Sequence, residues 1–261
     1  MNVDLSINPS QVASKIETFL KKTLKKTGFN SVVIGLSGGI DSAVSCALAE
    51  RVLGPTHIYP CLFPYGGLNQ EGVNDGLLVM NHLQIPKSNV VNIDIKPIVD
   101  SILATDPSTD DIRKGNVMAR VRMMLLFDQA KKKKALVMGT ENKTEHLLGY
   151  FTRFGDQASD IEPIVHLYKT QVRALAKHLK ISEKIISKEP SAGLWSGQTD
   201  EGEFGFTYED ADQVLNLSID QKKIVEEIVR MGFSREMVEK VLTKMEKNRF
   251  KHDLPYHQSA K

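Results

Sequence analysis

The stretch Ser31 to Leu53, SVVIGLSGGIDSAVSCALAERVL, constrains the fold more than any other. It reads as strand, tight turn, helix. Val32, Val33 and Ile34 form the short β-branched run of a strand buried on both faces. Ser37-Gly38-Gly39 allows a sharp bend, and Asp41-Ser42 opens a helix with Ala43, Val44, Ala47, Leu48 and Val52 on its packing side. A helix N-terminus after a glycine turn presents unpaired N–H groups and partial positive charge, the elements of an anion site. No G-x-x-x-x-G-K-[ST] string and no lysine occur in the turn. Asp41 stands where a phosphate would lie, and a carboxylate beside a polyphosphate needs a bridging cation. The residues therefore point to a phosphate site with Mg²⁺ held partly by Asp41. The competing reading is structural: Ser37 and Asp41 cap a helix and the glycines only turn the chain.

The chain has 261 residues, enough for one large domain or a domain and a half. It is 41% hydrophobic and 25% charged, with a net charge of +2. That balance is ordinary for a globular protein and gives no argument for nucleic acid or membrane. Cys46 and Cys61 form no CxxC pair and read as small core residues in a reducing compartment. The N-terminus lacks an apolar signal region and no stretch reaches transmembrane length, so a cytoplasmic location is expected.

Asn8-Pro9 reads as a helix start, with Val12, Ile16, Phe19, Leu20 and Leu24 at helical spacing and Gly28 as the stop. His57–Phe63 reads as a second strand, and Asn69 is placed to cap a helix through Leu83. Val90–Ile95 is expected as a third strand, Lys96–Ala104 as a helix, Thr105–Lys114 as a mobile polar loop, Gly115–Ala130 as a long helix and Ala135–Gly139 as a fourth strand. This alternation predicts an α/β fold: a Rossmann-like, doubly wound parallel sheet with helices on both faces. If the first and fourth strands flank the topological switch, Ser37–Ser42 and the segment after Gly139 face one cleft. On the long helix, Arg120 borders a Val117, Val121, Met124 stripe and either reaches an anion or snorkels to solvent. The run Lys131–Lys134 reads as a solvated helix end.

Past the fourth strand, Thr140 offers a hydroxyl and Glu145 a second carboxylate for a metal. Tyr150–Asp160 has no regular period and reads as a binding loop, with Arg153 and Asp160 as polar candidates. Lys169 opens a helix carrying Val172, Leu175, Ala176 and Leu179, against the macrodipole, which an anion nearby would rationalise; an ordinary exposed lysine is the other reading. Ser191–Phe206, with Trp195 and four glycines, reads as a mobile flap. Thr207–Asn248 is helical, with Gly232-Phe233-Ser234 separating two helices and Ser234 as an N-cap. Two units are expected: residues 1–206, a nucleotide-binding α/β domain, and 207–261, a helical subdomain on the same core.

The string S-G-G-I-D-S after a β-branched strand resembles the SGGxDS loop of ATP pyrophosphatases, which split ATP into AMP and pyrophosphate. With GLSGGIDSA, GNVMAR, MGTENKTE, LGYFTRFGD and KEPSAGLW in this order, the chain resembles ammonia-dependent NAD synthetase over nearly its whole length. The resemblance implies amidation of nicotinic acid adenine dinucleotide (deamido-NAD): ATP adenylates the nicotinate carboxylate, and ammonia then displaces AMP. It implies ATP contacts from Gly35, Leu36, Ser37, Gly38, Gly39, Ile40, Asp41 and Ser42, and from Thr140, Lys169 and Ser191. Mg²⁺ would be held by Asp41 and Glu145, and deamido-NAD by Arg120, Arg153, Asp160, Lys251 and His252. Asp156 would bind ammonia or take its proton, and the family's homodimer would place part of the dinucleotide site at the interface.

The chain departs from the family pattern in three places. Arg153 stands where relatives often have lysine, Ser191 where many have threonine, and Lys251-His252 replaces a His-Lys pair in the other order. The short segment before the loop does not fit a glutaminase domain, so free ammonia is the expected donor, with an external glutaminase partner as the other source. The alternatives are another AMP-forming ATP pyrophosphatase, GMP synthetase-like or tRNA-thiolating, and a non-catalytic nucleotide sensor. The thiolating version usually needs catalytic cysteines, for which Cys46 and Cys61 are poorly placed.

Overall fold

The computed structural model describes residues 3–195, 197–253 and 258. Helix α1 (Pro9–Thr27) starts on Asn8, whose side chain accepts from the Gln11 N–H, and stops at Gly28 in the left-handed region. Strand β1 (Val32–Gly35) leads through the glycine turn into α2 (Ile40–Leu53). Then come β2 (Ile58–Leu62), α3 (Gln70–His82), β3 (Val91–Asn92), α4 (Lys96–Leu103), α5 (Asp111–Lys133) and β4 (Leu136–Met138). The chain continues through α6 (Lys143–Leu148), α7 (Lys169–His178), α8 (Glu183–Ile186), α9 (Asp200–Phe204), α10 (Tyr208–Leu215), α11 (Val225–Arg230) and α12 (Arg235–Asn248).

The strands pair in parallel in the order β3-β2-β1-β4, with Val32 opposite both Ile58 and Leu136. The chain winds outward from β1 through β2 to β3, then returns to place β4 on the other side of β1. The switch therefore falls between β1 and β4, where a crevice opens at the strands' carboxyl ends. Successive β1 residues feed opposite cores. Val32 and Ile34 join Ile16, Leu20, Leu48, Val172 and Leu175 on one face. Val33 joins Cys61, Val99, Met118 and Val121 on the other. Such burial is worth about 1.5–3 kcal/mol per large aliphatic side chain and fixes the sheet between two helical layers. Both cysteines are buried in these cores. A third apolar cluster, around Tyr208, Val214, Leu217, Ile228 and Val241, gathers the C-terminal helices with Leu148 and Phe204.

Three expectations need correction. The third strand is two residues long, because Asp94 turns the chain by accepting from the N–H groups of Gly66 and Lys96. The polar stretch before α5 is not loop through Lys114: Asp110 caps the helix by accepting from Arg113 N–H at 2.7 Å, so α5 begins at Asp111. The flap does not extend to Phe206, since Gln198 and Asp200 are buried and α9 is anchored. None of the described helices is long and apolar enough to cross a membrane.

Candidate active site

The loop after β1 is built to leave amides free. Ser37 Oγ accepts from Gly39 N–H at 3.2 Å, and Ser42 Oγ donates to the Gly39 carbonyl at 3.0 Å. Gly39 is the N-cap of α2 and supplies no side-chain cap, so neither Ser37 nor Asp41 plays the capping role. The first-turn N–H groups of a 14-residue helix face the crevice with its positive end. Gly38 sits at φ +80°, and a Cβ there would lie 2.4 Å from the Gly72 carbonyl oxygen. Only glycine fits where α3 presses on the turn.

Asp41 projects from the first turn of α2 and meets the opposite wall. Its Oδ2 accepts from Lys169 Nζ at 2.5 Å, and the same ammonium donates to Glu145 Oε1 at 3.1 Å. Lys169 is only 3% exposed. The ordinary-surface-lysine reading is therefore excluded. Burial opposes the Lys169 charge, but Asp41 and Glu145 outweigh it and the lysine's pKa is raised. Burial pushes the Glu145 carboxyl up to about 8, against the pull of Lys169. Two carboxylates from different elements thus converge on one cation.

Their placement depends on residues that sequence reasoning missed. Asn142 caps α6 by accepting from Glu145 N–H at 3.0 Å, and its Nδ2 donates to Asp41 Oδ1 at 3.0 Å. Asp212 of α10 accepts from the Thr144 hydroxyl and from Thr170 N–H at 2.8 Å, while Thr144 Oγ1 accepts from Lys169 N–H at 3.0 Å. The C-terminal helical layer thereby braces the start of α7, from which Lys169 reaches. Asn142 before α6 and Thr207 before α10 were readable cap signals; the partners across the fold were not.

The loop, Asp41, Glu145, Lys169, Thr140 and Ser191 line one cleft of about 750 Å³. Ser191 Oγ donates to the Gln198 carbonyl at 2.6 Å, which folds the flap back on itself. Trp195 also lines the cleft. Asp156 lines the far end; it is open to the cleft yet walled by protein, and burial raises its carboxyl although Thr152 N–H donates to it at 2.9 Å. Lys251 reaches the same end, donating to the carbonyls of Gly149 and Phe151 at 2.7 and 2.9 Å, and burial lowers its pKa.

The remaining candidates lie off the cleft lining. Arg120 is exposed on α5, with Nη2 on the Arg153 carbonyl at 3.3 Å. Arg153 donates to the Asp253 carbonyl at 2.8 Å and lies over the Phe154 and Phe250 rings. Asp160 accepts from Val137 N–H at 2.8 Å, sealing the free edge of β4. The His252 ring lies tilted against His146 and edge-on to Phe151. Two other arginines line the cleft, Arg173 and Arg122, and Arg122 Nε donates to the Phe63 carbonyl at 3.1 Å. Burial pulls the Arg122 pKa down to about 10, so it keeps its charge at neutral pH. Lys188, on the flap side, is a further cleft cation, held by Asp75 at 2.7 Å beside the glycine turn.

Among the described residues no group of three or more His, Cys, Asp or Glu side chains is arranged to hold a metal alone. Asp41 and Glu145 nevertheless fit a hard cation. They are oxygen donors converging on one point already occupied by positive charge, and Mg²⁺ takes one or two carboxylates and completes its shell with phosphate and water.

The chain resembles known proteins over nearly its whole length. A family model described as NAD synthase matches residues 12–255. The chain is 41% identical over 251 residues to an NH(3)-dependent NAD(+) synthetase of Fusobacterium nucleatum, covering 96% of each chain. Among solved structures it resembles the NMN synthetase of Francisella tularensis, with a TM-score of 0.85 and 34% identity over 98% of this chain and 100% of that one. It also resembles the NH3-dependent NAD synthetase of Campylobacter jejuni, with a TM-score of 0.82 and 30% identity over 97% of this chain and 100% of that one.

Proposed function

This chain belongs to the NAD synthase family, and from that premise we propose that it amidates deamido-NAD with ammonia, consuming ATP. The observation that carries the reading is the Asp41–Lys169–Glu145 cluster facing an uncapped helix N-terminus. A carboxylate is a poor electrophile. Its oxygen attacks the α-phosphorus of ATP, pyrophosphate leaves, and the acyl carbon gains AMP as a leaving group. The nitrogen of ammonia then attacks that carbon, AMP departs, and the amide results.

The chain's own contribution is positioning and charge. The free amides of α2 and the Lys169 ammonium hold the departing pyrophosphate, with Thr140 and Ser191 steadying the nucleotide. Mg²⁺ on Asp41 and Glu145 would neutralise phosphate charge. Asp156, at the opposite end of the cleft, accepts the proton that ammonium loses, a role suited to a carboxyl raised by burial. Lys251, which lines the same end, would contact the dinucleotide.

Arg120 lies on an exposed α5 face with Met124 and Phe127, both substantially open to solvent. We infer that this face pairs with a second copy, so that Arg120, and with it Arg153, Asp160 and His252, completes a dinucleotide site at the interface. Sedimentation of the purified chain as a monomer at micromolar concentration would refute the pairing.

A second reading follows from the likeness to the Francisella NMN synthetase: the acceptor is the mononucleotide rather than the dinucleotide. The curated relative in Fusobacterium favours the dinucleotide. Purified protein with ATP and Mg²⁺, given each acceptor and either ammonium or glutamine, decides. We expect NAD and AMP from deamido-NAD and ammonium. Preference for the mononucleotide, or turnover with glutamine alone, overturns the corresponding part, and no AMP with any combination overturns the synthetase reading.

A further inference from the structure

Tyr208 is the second residue of the Thr207-capped turn that starts α10, and it is wholly buried. Its ring belongs to the apolar cluster of the C-terminal helices. Its hydroxyl does not. It leaves that cluster and comes to lie between two carboxylates, 2.8 Å from Asp200 Oδ2 and 3.2 Å from Glu145 Oε1. The ring face also carries the Lys169 ammonium, 4.8 Å from its centroid. Packing explains the ring. It does not explain a hydroxyl, which an apolar cluster would exclude unless it made polar contacts worth its desolvation.

The two acceptors belong to different parts of the site. Glu145 stands on the phosphate side with Asp41 and Lys169. Asp200 holds the flap. It is 4% exposed, its Oδ1 accepts from Ala192 N–H at 3.1 Å and from the Tyr150 hydroxyl at 3.0 Å, and its own N–H donates to the Pro190 carbonyl at 3.0 Å. Both ends of the Ser191–Thr199 segment are thus gathered on one aspartate. A phenol has one proton to donate, so the hydroxyl cannot bond fully to Asp200 Oδ2 and to Glu145 Oε1 at the same time. Whatever draws Glu145 toward a ligand changes how that proton is shared, and so changes how firmly Asp200 is held.

We propose that Tyr208 is a positioning residue that couples the phosphate end of the cleft to the flap, through a hydroxyl shared by Glu145 and Asp200. Nucleotide arriving at Asp41, Glu145 and Lys169 commits the Tyr208 proton to Asp200. That fixes Ala192 and Ser191 over the bound nucleotide. Tyr150 serves as the comparison, because its hydroxyl touches Asp200 and Glu203 but not Glu145. The inference rests on reading the cleft as an ATP site.

The chain contains a single tryptophan, Trp195, and it sits on the flap and lines the cleft. Its fluorescence therefore reads the flap directly, apart from turnover. The test compares the full chain with Tyr208→Phe and Tyr150→Phe, each of which deletes one hydroxyl and keeps a ring. Three quantities are measured: the Trp195 response to ATP, acrylamide quenching of Trp195, and the Mg²⁺ concentration giving half-maximal rate. Loss of a hydrogen bond to a charged group predicts a roughly tenfold weaker ATP response in Tyr208→Phe. Its Mg²⁺ requirement should rise by a similar factor, because Glu145 is no longer oriented. Tyr150→Phe should raise quenching while leaving the Mg²⁺ requirement within twofold. If Tyr208→Phe keeps the wild-type ATP response and Mg²⁺ requirement, the coupling is wrong. The same holds if both variants shift the Mg²⁺ requirement equally, since Asp200 alone would then explain the effect. If wild type itself shows no ATP response and releases no AMP, it is the reading of the cleft that fails.

Discussion

Replacing Lys169 by methionine tests the electrostatic reading of the site most directly. Methionine keeps an unbranched stem that fits a helix and fills the same buried space, so the change removes little besides the ammonium. The ammonium is what two carboxylates share, Asp41 at 2.5 Å and Glu145 at 3.1 Å, in a position only 3% exposed. Removing one partner of a buried ionic group costs about 3–5 kcal/mol when the remaining charges stay ionised. At about 2–4 °C per kcal/mol for a chain of this size, the melting temperature should fall by roughly 6–20 °C.

That cost must depend on pH, with a definite sign. Glu145 in the folded protein holds its proton up to about pH 8, well above an unfolded carboxylate. A group shifted upward in this way favours the folded state most at low pH, and its contribution is lost as pH rises toward the folded value. Lys169 is raised, so it stays charged from pH 6 to 9 and its pairing is intact throughout. At pH 6 Glu145 is protonated with or without the lysine, and the variant loses only the Asp41 half of the pairing. Asp41 still has the Asn142 amide at 3.0 Å. At pH 9 wild-type Glu145 is ionised beside a cation, whereas in the variant it is ionised alone or neutral at a cost. The stability deficit should therefore widen from pH 6 to pH 9, to about twice its low-pH size. Thermal melts of both proteins at constant ionic strength measure it. A deficit equal at both pH values, or below about 2 °C at pH 9, would refute the argument that Lys169 balances two buried carboxylates.

Two further substitutions probe other parts of the cleft. Gly38→Ala places a methyl 2.4 Å from the Gly72 oxygen at φ +80°, and strain of about 1–3 kcal/mol should weaken ATP binding tenfold to a hundredfold; an ATP KM within twofold of wild type would remove the steric argument. Asp156→Asn keeps the shape and the Thr152 contact but cannot take a proton, so kcat with ammonium should fall about 10²–10⁴-fold while ATP KM holds; an unchanged kcat would take Asp156 out of the chemistry.

Sequence reasoning succeeded where local chemistry and global placement agree. The β-branched run, the glycine turn and the acidic first turn of α2 each point to a strand–turn–helix unit, which is what forms, and the switch between β1 and β4 follows from the order of elements. Asn8, Asn69 and Ser234 cap the helices their types suggest, because a cap is a contact three residues long. What stayed hidden was every contact that spans the chain. Asn142 to Asp41, Asp212 to Thr144 and Tyr208 to Glu145 join residues 101, 68 and 63 positions apart, and nothing in a local window encodes them.

Helix α5 shows a subtler failure. Its apolar residues are spread around the axis, because it packs on β1 along one side and α4 along another, so its phase is ambiguous from spacing alone. A stripe through Val117, Val121 and Met124 puts Arg120 beside the core, yet Met124 is 52% exposed and the buried side runs through Met118, Ala119 and Val121. Arg122, two positions on, turns into the cleft instead and reaches the Phe63 carbonyl. The same rotation carries Arg120 outward with Met124 and Phe127. Arg120 is exposed and its guanidinium donates to the Arg153 carbonyl at 3.3 Å, outside the cleft lining. The phase of α5 therefore favours the proposed pairing: with Arg120 off the cleft lining, a dinucleotide contact from it is expected across an interface that covers Met124 and Phe127.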